Sequence, residues 1–310
     1  MPNTQPKLMF PSFLPVEVQN LTEDTSIALA QKIKLEQIET AFDPQAKSQL
    51  VSTAYVQQGN RQKESNNPIL LLHGFDSSLL EFRRLMPLLA TAEQETWAVD
   101  LMGFGFSDRS DNLPYGAQAI KAHLYSFWKS KINKPIVLVG ASMGGAAAID
   151  LALAYPEIVA KLILIDSAGL ASPPKIGKFM FSPLDRWATE FLRNPKVRQN
   201  ISKAAYFDKS FASEDAQNCA ALHLKCANWN RALIAFTKSG GYGSCAKQLK
   251  NLTKTTLILW GKQDKILGIK DAPKFARLIE NSQLVWIDNC GHVPHLEKSK
   301  AIAQEILSFC

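Results

Sequence analysis

Six short apolar runs mark the chain at 68–72, 96–100, 135–140, 161–166, 256–261 and 284–288, and within each the apolar residues are largely continuous rather than alternating. Continuous hydrophobicity over so short a span predicts strands buried on both faces, as in a parallel sheet covered by helices on its two sides. An earlier, more polar pair of strands is predicted at 33–40 and 50–57. Between the runs, apolar residues recur at helical spacing over 79–90, 118–129, 144–154, 272–280 and 299–309. Ser78 and Glu81 are spaced as a capping box for the first of these helices. Alternating strands and helices predict an α/β fold with a mostly parallel sheet. In such sheets ligands bind beyond the carboxyl ends of the strands, so the loops that follow the runs are where chemistry is expected.

Between 170 and 245 the β-branched runs disappear and short amphipathic helices are predicted at 184–193, 195–206, 213–224 and 229–238. Ser172-Pro173-Pro174 and Gly240-Gly241-Tyr242-Gly243 bracket this stretch as linkers would. The predicted organisation is an N-terminal segment with the first strand at 1–49, a core at 50–169 and 246–310, and a helical cap at 170–245. The cap also concentrates charge. It holds eleven Lys or Arg against five Asp or Glu, in a chain whose formal net charge is +7. Lys178-Phe179-Met180-Phe181, then Leu184, Trp187, Ala188, Phe191 and Leu192, form an apolar stripe flanked by Arg186, Arg193, Lys196 and Arg198. The stripe is expected to pack down on the core and roof the site, leaving the cations as a solvated face. The alternative leaves part of it exposed at the pocket mouth, docking on an anionic membrane.

The third run leads into Val137-Leu138-Val139-Gly140-Ala141-Ser142-Met143-Gly144-Gly145, which spells a strand, a sharp turn and a helix around one serine. This is the form of a nucleophile elbow, G-x-S-x-G, whose glycines remove side chains where the strand reverses into the helix. The helix N-terminus places the Met143 amide where an oxyanion would develop beside Ser142, and the loop His73-Gly74-Phe75-Asp76 offers the Phe75 amide as a second donor. His73 is expected to be structural, and Asp76 to start the following helix. Gly103-x-Gly105 lacks the third glycine of a dinucleotide loop and is expected to form a tight turn braced by Asp108 and Arg109. After the fifth run comes Asp264, and after the sixth His292. A serine hydroxyl needs a base, and an imidazole is an effective base when a carboxylate fixes its tautomer. His295 is a rival base and Asp166, at the end of another run, a rival acid; Ser142, His292 and Asp264 are favoured on loop position.

Together, His73-Gly74, Asp100-x-x-Gly103-x-Gly105-x-Ser107-Asp108, Gly140-x-Ser142-x-Gly144-Gly145, Trp260-Gly261-x-x-Asp264 and Gly291-His292-x-Pro294-x-x-Glu297 resemble the α/β-hydrolase fold superfamily from about Leu50 to the C-terminus. The chain is similar to the capped branch of esterases, monoacylglycerol-lipase-like enzymes and carbon-carbon bond hydrolases. That resemblance implies Ser142 as nucleophile, His292 as base, Asp264 as acid, and Phe75 and Met143 as oxyanion donors. Epoxide hydrolases and haloalkane dehalogenases of this branch carry aspartate at the elbow, where this chain has Ser142. The carbon-carbon hydrolases generally show Asn before the serine and an aromatic after the histidine, where this chain has Ala141 and Val293.

The expectation is a cofactor-independent serine hydrolase cleaving a carboxylic ester of an apolar small molecule or lipid. Carbon-carbon or thioester cleavage, and a slow-turnover ligand sensor, are the alternatives. A nucleotide-binding oxidoreductase is disfavoured, because 140–145 lacks the G-x-G-x-x-G spacing. Five cysteines, odd in number and without C-x-x-C spacing, argue against a disulfide framework or a zinc site. No polybasic run or aromatic-glycine signature points to nucleic acid. The first twenty residues lack the charged-then-apolar order of a secretory signal, so a cytoplasmic location is expected, with peripheral membrane contact through the cap as the variant.

Overall fold

A computed structural model describes residues 9–43, 45, 47–60, 67–171 and 182–310. Eight strands, β1 (Lys34–Thr40), β2 (Gln49–Gln58), β3 (Ile69–Leu72), β4 (Thr96–Val99), β5 (Ile136–Ala141), β6 (Val159–Ile165), β7 (Thr256–Gly261) and β8 (Ser282–Ile287), form one sheet in the order β1-β2-β4-β3-β5-β6-β7-β8. β1 and β4 run antiparallel to β2, and every other neighbouring pair is parallel. The register pairs Leu72 with Gly140, Ala141 with Ile165 and Gly261 with Ile287, so the carboxyl ends of β3, β5, β6, β7 and β8 lie side by side. Hence the loops that open at His73, Ser142, Asp166, Lys262 and Asp288 leave the sheet along one edge.

Helices α1 (Asp24–Ala30), α2 (Met86–Thr91), α3 (Ala117–Lys131) and α4 (Met143–Ala154) come before or between strands β1 to β6. Between β6 and β7 lie α5 (Leu184–Arg193), α6 (Pro195–Ala205), α7 (Glu214–Ala221) and α8 (Trp229–Ser239), the helical cap inserted after the sixth strand. Then come α9 (Ala272–Leu278), α10 (Pro294–Glu297) and α11 (Ser299–Phe309). Alternate residues of the apolar strands divide between two cores, because successive side chains leave a sheet on opposite faces. Leu70 and Leu72 pack with Leu124 and Phe127 of α3 and Leu151 of α4. Ile69 and Leu71 join Leu89 of α2 and Ile302 and Ile306 of α11. Such two-sided burial makes this an α/β fold with a mostly parallel sheet, and the strand order with a cap after β6 is the arrangement that the resemblance implied. Among the described residues, no helix is long and apolar enough to cross a membrane.

Three local expectations are corrected. The span 79–90 is not one helix but a 3₁₀ turn, Leu79–Phe82, followed by α2. The Leu79 amide donates to Asp100 Oδ1 at 2.6 Å, the Ser78 side chain caps nothing, and Pro87 restarts the chain at the head of α2. Nor does Glu81 cap a helix, because its carboxylate is engaged elsewhere. Lastly, 213–224 divides into α7 and a 3₁₀ turn, Leu222–Lys225.

The residues before β1 are more structured than their sequence suggests. A 3₁₀ turn at Val16–Asn20 and helix α1 place Leu14, Val18, Leu21 and Leu29 in the second core. Asp215 of α7 accepts from the amides of Thr22 at 2.6 Å and Glu23 at 2.9 Å and from the Ser26 hydroxyl at 2.5 Å. Arg84 grips Glu23 with two bonds of 2.7 Å. The N-terminal segment thus ties α7 of the cap to the core.

Candidate active site

At Ser142 the chain leaves β5 and enters α4 with φ 52° and ψ −119°, a region that non-glycine residues rarely occupy and that holds the side chain out of the strand and the helix. Backbone bonds pin this conformation. The Ser142 amide donates to Ile165 O at 3.0 Å, and Ser142 O accepts from Gly145 and Ala168 at 2.9 Å each. The flanking glycines serve close approach. A Cβ on Gly144 would lie 2.1 Å from Leu72 O, and one on Gly140 2.2 Å from Gly144 O. Met143 is the first residue of α4, so its amide belongs to the first-turn N–H groups that have no partner within the helix. Gly74 comes so near the serine that a Cβ there would sit 3.4 Å from the Ser142 Cβ.

Asp264 and His292 meet although 28 residues separate them: the His292 Nδ1–H donates to Asp264 Oδ2 at 2.9 Å. The other Asp264 oxygen accepts from the amides of Ile266 at 2.7 Å and Leu267 at 3.1 Å. Burial raises the Asp264 carboxyl, but the hydrogen bond and charge of His292 and these two amides outweigh it and hold the group below its ordinary range. The His292 amide donates to Ala205 O at 2.7 Å, which docks the histidine loop against the end of α6. Ser142, His292, Gly74 and Phe75 line one cavity of about 290 Å³, closed from the cap side by Ile201, Ser202 and Ala205.

Of the two rivals, His295 stands apart, whereas Asp166 lies beside Asp264 and His292. His295 Nε2 donates to Glu81 Oε1 at 2.9 Å and is almost wholly buried. Asp166, fully buried at the end of β6 with φ 40°, accepts from the Gly261 amide at 3.1 Å. Ligating atoms of Asp166, Asp264 and His292 lie within 4.8 Å of one another, the one such group of metal-ligand type among the described residues. The pairing of His292 with Asp264 already uses this group as a hydrogen-bonded relay. Burial first, and then the Asp264 charge, push the Asp166 carboxyl well above its ordinary range. Two carboxylates this close disfavour each other's ionisation, and the burial of Asp166 makes it the one whose charged form is disfavoured.

His73 is a neutral brace: the Leu101 amide donates to its Nε2 at 3.1 Å, its Nδ1–H donates to Gly74 O at 2.8 Å, and burial pushes its imidazole down to about 4. Asp108 and Arg109 brace the turn as expected, Arg109 through the carbonyls of Gly103 and Gly105 at 3.3 and 2.5 Å and Asp108 through the Ser110 amide at 2.7 Å.

Asp76 does more than begin a helix. It accepts from Trp229 Nε1 at 2.8 Å and His223 Nε2 at 3.2 Å and pairs with Arg198, so the loop after β3 is fastened to three parts of the cap. Glu297 similarly accepts from the amides of Gly291 at 2.8 Å, Phe207 at 3.0 Å and Asp208 at 2.6 Å, joining the histidine loop to the end of α6. All these partners lie roughly 90 to 150 positions away except Gly291, and no sequence spacing announces them.

Glu81 joins the two halves of the site, accepting from the Gly74 amide at 3.0 Å as well as from His295. Burial alone would raise this carboxyl, but the hydrogen bond and charge of His295, the charge of His73 and the Gly74 amide hold it at about 2. A carboxyl depressed in the folded state adds stability above its unfolded pKa, and that stability is lost as pH falls through the folded value. Unfolding free energy is therefore expected to drop, by on the order of 3 kcal/mol for this group, between about pH 4.5 and 2. Urea titrations across that window check this: Glu81→Gln should be less stable at neutral pH and show a shallower decline, and an unchanged slope would remove Glu81 from the account.

The chain matches the family described as alpha/beta hydrolase fold over residues 67–299. It is 33% identical over 304 residues to the alpha/beta hydrolase domain-containing protein VTE7 of Arabidopsis thaliana, covering 97% of this chain and 90% of that one. It is 27% identical to the 2-hydroxy-6-oxo-2,4-heptadienoate hydrolase of Pseudomonas putida, over 79% of this chain and 89% of the other. Among solved structures, a thermophilic esterase from Thermogutta terrifontis superposes with a TM-score of 0.73 at 23% identity, covering 89% of this chain and 97% of the esterase.

Proposed function

The chain belongs to the alpha/beta hydrolase fold family, and on that premise we propose that it is a serine hydrolase that cleaves carboxylic esters of apolar small molecules or lipids through an acyl-enzyme. The observation that carries this reading is the Asp264–His292 hydrogen bond of 2.9 Å, set in the wall of the cavity that also holds the strained Ser142. In the proposed cycle His292 Nε2 takes the Ser142 proton as Oγ attacks the ester carbonyl. The oxyanion accepts from the Phe75 and Met143 amides, and its collapse expels the alcohol, which leaves with the proton from His292. Water then attacks the acyl carbon, giving its proton to His292; the acyl–Oγ bond breaks, the carboxylic acid departs, and Ser142 Oγ takes the proton back from His292. Asp264 holds Nδ1 protonated throughout and stabilises the imidazolium, a role that suits the carboxyl held below its ordinary range rather than Asp166 beside it, which is pushed above.

The apolar part of the cavity wall, Phe75, Ile201, Ile266, Val293 and Leu296 beside the charged Arg83 and Arg198, supports an apolar substrate. A second reading, cleavage of a carbon-carbon bond, draws on the likeness to the Pseudomonas putida enzyme. One experiment separates them: fluorophosphonate labelling, followed by turnover of a chain-length series of nitrophenyl esters and of a vinylogous 1,5-diketone. Labelling at Ser142 with ester turnover is the expected result. Diketone turnover without ester turnover would favour the second reading, and absence of labelling would overturn both.

A further inference from the structure

Helix α5 is turned so that its most apolar edge faces away from the protein. Asp185 and Thr189 are buried, Asp185 joined to Lys238 of α8 at 2.6 Å, and Ala188 and Leu192 line a small cavity between α5 and α8. By contrast Leu184, Trp187 and Phe191, which follow one another at i, i+3 and i+7, point outward, with Trp187 65% and Phe191 64% exposed. The expected packing of the whole stripe on the core is thus corrected. Among the described residues its Ala188–Leu192 edge goes down, because buried Asp185 and its partner Lys238 on α8 fix the rotation of the helix. Residues 178–181 of the stripe lie outside the described residues.

The exposed apolar edge does not stand alone. Ile201 on α6 and Ile266 after β7 are exposed while lining the Ser142 cavity, and Leu267 and Ile269 continue the rim. Phe75 lines both the catalytic cavity and the one beneath the inner edge of α5, so α5 lies over the wall of the site. Cations surround this rim: Arg186, Lys196, Lys203, Lys265 and Lys270 are exposed, whereas Asp185 is buried and paired, and Glu190 pairs with Arg193. Aromatic and aliphatic side chains ringed by Lys and Arg match the boundary between headgroups and acyl chains of an anionic bilayer. A monomer that leaves two such aromatics in water has an interaction site there.

We propose that the rim formed by α5, Ile201 and the 265–270 loop docks on an anionic lipid surface, turning the mouth of the Ser142 cavity toward the bilayer. The apolar ester of the proposed reaction then enters from the membrane; the docking itself does not depend on that reaction. Trp187 and Phe191 sink into the interface, and the lysines and arginines lie against acidic headgroups.

Co-sedimentation of the full chain with phosphatidylcholine vesicles carrying increasing phosphatidylglycerol tests this, at low and high salt. The bound fraction should rise with phosphatidylglycerol and fall with salt. Trp187→Ser combined with Phe191→Ser should lower partitioning by about tenfold per aromatic removed. Lys196→Ala with Lys265→Ala should lower it by about thirtyfold, on anionic vesicles alone. Neither pair should alter hydrolysis of a short water-soluble ester, since none of the four residues touches the reacting groups. Failure to sediment at every composition, or equal binding by the aromatic double variant, overturns the proposal. A wild type that elutes as a dimer, with the double variant a monomer, also overturns it and makes a second copy the occupant. Repeating the sedimentation with Ser142→Ala keeps the two readings apart: binding without turnover in the wild type counts against the hydrolase, and turnover without binding counts against the membrane.

Discussion

Ser142→Ala is expected to lower ester turnover by about 10⁶-fold, and His292→Ala by a similar factor, because each removes the whole proton-transfer and acylation route. In the proposed cycle Ser142 supplies the attacking oxygen, and its φ of 52° holds that side chain out of the strand and the helix. His292 is held by Asp264 on one nitrogen and by Ala205 at its amide, so no neighbouring imidazole can take its place. His295 is committed to Glu81. Because the two residues act as one unit, the double variant should match either single one. Single-turnover kinetics with a nitrophenyl ester, alongside circular dichroism to verify folding, measure this. Additive losses, or burst-phase acylation surviving in Ser142→Ala, would rule the arrangement out.

The second large effect separates two carboxyl groups. Asp264→Asn should reduce kcat by about 10⁴-fold, since an amide facing Nδ1 favours the wrong tautomer and leaves the imidazolium unpaired. Asp166→Asn should cost at most about tenfold: its surroundings disfavour the charged carboxylate, and the amide oxygen can still accept from Gly261. The measurement is kcat against pH for both variants, with thermal unfolding as the control for stability. If Asp166→Asn lost activity by orders of magnitude and Asp264→Asn kept it, the working acid would belong to β6.

The elbow at Ser142 was legible in the chain because it is written locally. Gly140, Ser142 and Gly144 act within one turn, and the reason for the glycines, close approach of Leu72 O and Gly144 O, can be argued from a strand running straight into a helix. Strands β3 to β7 were legible for a similar reason, since a strand buried on both faces must be apolar along its length, whereas β8 at the sheet edge is only partly buried. What failed were inferences that took a local pattern for its partner. Ser78 and Glu81 have capping-box spacing, yet Glu81 bonds Gly74 and His295 and the helix breaks. The stripe of α5 has helical periodicity, which reveals that one face is apolar but not which way it turns. Asp185, held by Lys238 53 positions later, decided that it turns outward.

The sequence by itself determined the layered fold, the elbow at Ser142 and the identity of the residues around it, because strand burial and turn sterics depend on neighbours a few positions apart. Only the tertiary structure decided that Asp264 rather than Asp166 faces His292, that Asp76 fastens the cap and Asp215 the N-terminal segment, and that Trp187 and Phe191 stand in solvent. Those outcomes depend on hydrogen bonds between groups tens to hundreds of positions apart. Their energies depend on which group is desolvated against which, a quantity that no periodicity along the chain encodes.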